Sequence, residues 1–257
     1  MKIDYKDIFF NLENALKEKT SFSEKEFNDV YGQFKHYEDR NLTDNEYYNL
    51  IFPVVFYSGF KASVVEKKKV TIKHYFSDFE VVSSYNSAKI EEIMKDPYMI
   101  RNKNKIKACI NNAIVFKEII GQYGSFKDYI DYFNPSESLE NLLLFKEEIQ
   151  YKFNYFGEIT SYHFMTDIGL PVLKPDRVIA RIFKRLGLIE DEKQILKTVL
   201  QGQMFSNATR LPIRYIDICF VKYGQSGEDI ELGLDDGICL ERNPKCDECG
   251  IKEYCNF

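Results

Sequence analysis

The chain contains no tryptophan, and its three histidines, His36, His74 and His163, stand far apart. Scattered histidines give no local His-built metal site and no Ser-His-Asp order. No glycine-rich loop of the phosphate-cradling kind stands out, which removes the common nucleotide-binding motifs. No apolar run is long enough to span a bilayer. The opening residues, MKIDYKDIFFNLENALKEK, scatter charges among their apolar positions and hold no signal-peptide core, so a cytoplasmic protein is expected. A reducing compartment makes disulfides unexpected among the six cysteines. Strand-like alternation is scarce, and neither an internal repeat nor a low-complexity linker is found.

What is present suits a folded globular chain. The 257 residues are 44% hydrophobic and 29% charged, enough for one large domain or two modest ones. The net charge of −5 is not that of a broadly basic protein. A DNA-binding surface needs local positive charge, however, not a basic total. Residues 61–75 hold five lysines against one Glu, residues 101–107 hold four basic residues and no acid, and residues 174–185 hold five basic residues against Asp176. Any one such run also describes a solvated helix face.

The apolar spacing is helical along most of the chain. Thr43-Asp44-Asn45-Glu46 has the form of a capping box and opens a helix through Tyr57, which Pro53 is expected to kink or divide. Further helices are predicted over 89–95, over 106–120 with a stop at Gly121, and over 139–151 and 159–168. The last predicted helix, 178–186, is amphipathic: Val178, Ile179, Ile182, Phe183 and Leu186 share one face, and Arg177, Arg181, Lys184 and Arg185 the other. The expected architecture is all-α, with a central helical domain over 41–185 and a second one combining 1–40 with 186–257. Cys109 and Cys219 sit in apolar helical contexts, as small core residues do.

The other four cysteines lie in the final nineteen residues as C-x6-C-x2-C-x5-C: Cys239, Cys246, Cys249 and Cys255. Four thiolates on one short segment can wrap a single metal or iron–sulfur centre. Structural zinc would use the same residues, although one C-x-x-C flanked by lone cysteines is not the paired arrangement of a zinc ribbon. The spacing resembles the cluster loop of the endonuclease III branch of helix-hairpin-helix DNA glycosylases, and the resemblance implies a 4Fe-4S cluster.

Residues 153–188, FNYFGEITSYHFMTDIGLPVLKPDRVIARIFKRLGL, carry a second signal. A helix ends, a turn with Gly157 follows, another helix runs to Gly169, and a loop with two prolines delivers Asp176 to a helix start. This resembles the helix-hairpin-helix-Gly/Pro-Asp motif of the same glycosylases. Backbone N–H groups at Gly157 and Thr160 are then expected to hold a DNA phosphate, with Arg101, Lys103, Arg177 and Arg181 contributing charge. The resemblance implies a catalytic role for Asp176, and the chemistry agrees, because base–sugar cleavage builds positive charge on the deoxyribose that a carboxylate stabilises. An Asp at a helix start is also a common N-cap. Two departures from the motif stand out. Tyr155 replaces the first glycine of the turn, and Ile159 stands where bifunctional members carry a lysine, so simple hydrolysis is expected. His163 is expected to be packed rather than catalytic.

Residues 56–68, 99–113 and 155–170 resemble the bacterial 3-methyladenine DNA glycosylase I family. The base-reading glutamate of that family falls near Val54 and is lost, and its zinc ligands are absent. Phe56, Tyr57 and Phe60 are the candidates to stack a flipped base. The combined expectation is a two-domain, helix-hairpin-helix DNA glycosylase with a C-terminal iron–sulfur loop. It would act as a monomer on double-stranded DNA, releasing a damaged or modified base, an alkylated purine first, and leaving an abasic site. Three alternatives remain open at this point: a bifunctional glycosylase/lyase using a displaced lysine such as Lys152, a protein that binds modified DNA without cutting it, and a redox protein carrying an iron–sulfur centre, which the helical hairpin and basic stretches disfavour.

Overall fold

The computed structural model describes residues 3–60 and 62–257. In chain order its α-helices are α1 (Tyr5–Lys19), α2 (Glu24–Gly32), α3 (Asp44–Tyr57), α4 (Ala62–Glu66), α5 (Lys69–Phe76), α6 (Phe79–Ser83), α7 (Ser87–Lys95), α8 (Lys103–Tyr123), α9 (Phe126–Phe133), α10 (Leu139–Lys152), α11 (Glu158–Asp167), α12 (Arg177–Arg185), α13 (Ile195–Thr209) and α14 (Ile213–Gly224). Among the described residues there is no strand, only an isolated bridge between Asp229 and Leu234. None of these helices is long and apolar enough to cross a membrane.

Local chemistry sets most helix ends. Thr43 caps α3, and Glu46 Oε2 accepts from the Thr43 N–H at 2.8 Å, completing the capping box. Pro53 does not divide this helix: α3 runs unbroken to Tyr57 because its faces are buried on both sides of the proline, with Tyr48, Ile51, Phe52, Val55 and Phe56 at 1% exposure or less. Gly121 likewise does not stop α8, which continues to Tyr123. The chain turns at Gly124, whose φ of 96° suits a residue without a Cβ.

Two compact units divide the chain: Met1–Arg40 with Gly169–Phe257, and Asn41–Ile168. The central unit ends at Ile168 rather than at 185. The reason is α12, whose apolar residues Ile179, Ile182 and Phe183 are buried in the core of the terminal unit. There Phe183, Phe205 and Phe220 form a ring cluster with centroids 4.9 to 5.5 Å apart. Phe9, Leu12 and Leu16 of α1 complete that core at 0% exposure. Each such side chain contributes about 1.5–3 kcal/mol by leaving water. Cys219 is part of this core, and Cys109 is equally buried in the central unit.

The central unit is held by aromatic packing. Tyr48 of α3, Phe79 of α6, Phe116 of α8 and Phe126 of α9 meet in pairs, with Phe116 and Phe126 stacked at 4.6 Å. This sets the start of α8 beside the end of α3, and both beside the turn into α11.

Candidate active site

The hairpin between α10 and α11 is built by backbone conformation and one buried amide. Tyr155 adopts φ of 68°, the left-handed conformation that a glycine would hold without strain. The turn geometry therefore survives the loss of the first glycine. Asn112 of α8, fully buried, holds the turn from beneath: its Oδ1 accepts from the Asn154 N–H at 2.7 Å, and its Nδ2 donates to Asn154 O at 3.1 Å. The sequence reading assigned nothing to Asn112, because its partner lies forty-two residues away.

Gly157 is not a free phosphate donor as expected. Its N–H donates to Thr160 Oγ1 at 2.7 Å. The Thr160 hydroxyl also lies 3.1 Å from Tyr155 O, so this side chain closes the turn. The groups left without an intrahelical acceptor are the N–H groups of the first turn of α11, at Glu158, Ile159 and Thr160. Ile159 is 39% exposed and carries no amine. His163 pairs with Asp167 at 3.1 Å along the same helix.

In the terminal unit, the loop after Gly169 ends at Asp176, the N-cap of α12. Asp176 Oδ1 accepts from the Val178 and Ile179 N–H groups at 2.9 and 3.0 Å. Its other oxygen lies 3.8 Å from Lys174 Nζ, and the side chain is 21% exposed. The carboxylate is thus fixed by one oxygen, and its other oxygen faces the Lys174 ammonium. Gly169 is required in this loop: at φ of 87°, a Cβ there would lie 2.4 Å from Tyr37 O.

A second carboxylate, absent from the sequence reading, anchors this loop. Asp217 of α14, 1% exposed, accepts from the Lys174 N–H at 2.9 Å and pairs with Arg214 at 2.5 Å. Burial pushes the Asp217 carboxyl above its usual range, and the Arg214 guanidinium and the Lys174 N–H pull it back. In sequence Asp217 sits within an apolar helix, RYIDICF, and that pattern was the signal available.

The expected base and phosphate contacts separate clearly. Phe56 is fully buried against Phe76 and is a core residue, so it is withdrawn as a base contact. Val54 is 6% exposed. Tyr57 is half-buried, its hydroxyl bonded to Glu66, and Phe60 is 37% exposed after the turn at Gly59. Arg177 is exposed, as is Arg101, whose Nε donates to Asp96 O at 3.2 Å. Lys103 is exposed and paired with Glu91 at 2.6 Å. Arg181 is not a surface cation. Its Nη2 donates to Gly224 O at 2.7 Å and to Cys239 O at 3.0 Å, which turns the guanidinium inward.

A family model described as methyladenine glycosylase matches residues 35–174, more than half of the chain. The chain belongs to the methyladenine glycosylase family. It is a DNA glycosylase of the helix-hairpin-helix superfamily. The solved 3-methyladenine DNA glycosylase I of Staphylococcus aureus aligns over 60% of this chain and 91% of its own, at 20% identity and a TM-score of 0.45. The 8-oxoguanine DNA glycosylase of Thermotoga maritima aligns over 84% of this chain and 95% of its own, at 14% identity and a TM-score of 0.52. This second likeness places the all-helical glycosylase fold across most of the chain.

The matched segment stops at Lys174, so Asp176 and the four tail cysteines of this glycosylase lie beyond it. The tail has its own scaffold. Tyr223 O accepts from the N–H groups of Ile238 and Cys239 at 2.7 and 2.8 Å. The Tyr223 hydroxyl donates to Cys249 Sγ at 3.2 Å and accepts from the Gly250 N–H at 3.1 Å. Arg185 Nη1 donates to Cys239 Sγ at 3.1 Å and to Leu240 O at 2.8 Å. Burial raises the Cys239 thiol, and the Arg185 hydrogen bond opposes that shift. As placed, no three His, Cys, Asp or Glu side chains among the described residues converge on a metal-sized point. The donor set is nevertheless all sulfur, and two of the sulfurs already receive hydrogen bonds of the kind that settle thiolates. The residues present fit a thiolate-bound centre.

Proposed function

We propose that this glycosylase is monofunctional: it hydrolyses the N-glycosidic bond of a damaged or modified base in double-stranded DNA and leaves an abasic site. The supporting observation is Asp176, held by the α12 N-terminus through one oxygen, at the end of a loop whose Lys174 N–H donates to the buried Asp217. In this role the second oxygen of Asp176, which lies 3.8 Å from Lys174 Nζ, faces the positive charge that grows on the deoxyribose, and orients or deprotonates the attacking water. Ile159 cannot form the Schiff base that a lyase needs. Lys152, the displaced candidate, is paired with Glu148 at 3.4 Å. Family membership points to an alkylated purine as the substrate class, with the exposed rings at the end of α3 receiving the flipped base.

Cys239, Cys246, Cys249 and Cys255 would hold a 4Fe-4S cluster, whose contribution is structural: thiolate bonds that order the tail. The protein acts as a monomer in this reading.

Asp176→Asn tests it. The amide keeps the capping acceptor but not the charge, so DNA binding should persist. Single-turnover excision should fall at least ~100-fold, by the usual scale of general acid–base contributions. Near-normal excision by a folded variant would reduce Asp176 to a cap. Borohydride trapping of wild-type protein on cleaved DNA would show a lyase instead.

A further inference from the structure

Tyr98 stands on the loop between α7 and α8 and is 70% exposed. The two residues after it, Met99 and Ile100, are buried at 3% and 8% and seat the loop in the central unit. Four hydrogen bonds hold the turn that carries the ring. Asp96 Oδ1 accepts from the Tyr98 N–H at 2.7 Å, and Asp96 Oδ2 accepts from the Tyr75 hydroxyl at 2.9 Å. Lys68 Nζ donates to Pro97 O at 3.0 Å, and Arg101 Nε donates to Asp96 O at 3.2 Å. Pro97 fixes one further backbone angle.

Two cations share this loop with the ring. Lys68 Nζ lies 5.5 Å from the Tyr98 ring centroid, and Arg101 follows three residues on. Each spends one donor on the loop backbone and keeps others for an anion, since lysine carries three and arginine five. The acids of α4 and α7 are engaged: Glu91 with Lys103 and Glu92 with Lys89, both at 2.6 Å, and Glu66 with Tyr57 and Lys69. The loop's own acid, Asp96, has both oxygens turned into the turn itself. Tyr132 and Tyr151 are as exposed, yet each has an acid one helical turn back, Asp128 and Glu147, where Tyr98 has cations.

The geometry points to Tyr98 as a DNA-stacking residue, whose ring enters the base stack at the gap that opens when the target nucleotide flips out. Lys68 and Arg101 hold nearby phosphates. A flipped nucleotide leaves the bases beside and opposite it without a stacking partner. An aromatic or apolar side chain placed there restores that contact and keeps the helix open. The occupant must offer flat apolar surface to the ring and negative charge to the two cations, and a DNA strand offers both. A rigid turn suits this role, because little loop freedom is lost on binding. Tyr98 meets the DNA away from the reacting bond. The inference rests on base flipping by this glycosylase, and not on Asp176, the cysteines or the identity of the base.

The test compares an undamaged duplex with one carrying a tetrahydrofuran abasic analogue, which offers the gap and cannot be hydrolysed. Wild-type protein should bind the analogue duplex more tightly. Tyr98→Ala should lower that affinity about ten-fold, the scale of one base–aromatic stack, without changing the salt slope or the affinity for the undamaged duplex. Tyr98→Phe should keep the wild-type affinity. Lys68→Ala should instead lower the salt slope on both duplexes. Photocrosslinking of wild-type protein to 5-iodouracil, placed in turn opposite and beside the analogue, needs no variant, and the crosslinked peptide should contain Tyr98. The proposal is overturned by a wild-type protein that does not prefer the analogue, by unchanged affinity or an equal loss on both duplexes in a folded Tyr98→Ala protein, or by crosslinks that all miss Tyr98. A Tyr98 effect on binding, with no excision of any modified base by wild-type protein, would sink the hydrolase reading alone.

Discussion

Arg185 Nη1 donates to Cys239 Sγ at 3.1 Å while the Arg185 carbonyl accepts from the Asn256 N–H at 2.7 Å. The last turn of the helix that Asp176 caps is therefore tied to the cysteine tail at both ends of the tail. Arg181, one turn earlier, bonds Cys239 O as well. Two residues of the basic face of α12, Arg181 and Arg185, thus bond inward and join the candidate catalytic helix to the segment that carries the four cysteines.

Loss of the proposed metal centre should loosen this tail. Protein purified without air is expected to be brown and to hold about four irons per chain, as a 4Fe-4S cluster requires. Cys246→Ser should lose both colour and iron and expose residues 240–257 to protease, because metal binding and local folding are coupled. Colourless protein with one zinc per chain would overturn the iron–sulfur assignment.

Asp217→Ala should destabilise the terminal unit by about 3 kcal/mol, since it removes a buried carboxylate that Arg214 pairs with and leaves the Lys174 N–H without its acceptor. Excision should fall as well, because the Lys174–Asp176 loop loses its anchor. Thermal melting and single-turnover kinetics measure the two effects. An unchanged melting temperature would show that Asp217 does not hold the loop.

Arg177 and Arg181 should behave differently although both lie on the basic face of α12. Arg177→Ala is expected to weaken binding alike for all DNA sequences and to lower the log–log salt slope by roughly 1. Arg181→Ala should leave the slope unchanged and lower stability instead, as its hydrogen bonds run to Gly224 and Cys239. Binding titrations at several salt concentrations separate them. A slope change with Arg181→Ala would return that residue to the DNA surface.

Tyr48→Phe should be neutral or stabilising by up to ~1 kcal/mol, because the Tyr48 hydroxyl is buried with no hydrogen-bond partner among the described residues. The ring itself packs against Phe52, Phe79 and Phe116 and must stay. A urea midpoint that falls after this substitution would mean that the hydroxyl has a partner, such as a buried water.

The sequence by itself determined what depends on neighbours a few residues away. Thr43 and Glu46 close the α3 start, Asp176 caps α12, and the tail cysteines share one short segment, because caps and short loops are satisfied locally. The order of these elements was also enough to place the chain among the glycosylases. Only the tertiary structure decided which side of each element faces inward. Phe56 and Phe60 lie four residues apart, yet one is core and the other exposed, because α3 ends at Tyr57 and the chain turns at Gly59. Arg181 reads as a surface cation until Gly224 and Cys239 supply carbonyls from forty-three and fifty-eight residues away. Lys105 sits in a basic run and is buried, and Asp217 sits in an apolar helix and anchors a loop. A buried charge is stable only where distant groups pair with it or donate to it, and no local pattern records who those partners are.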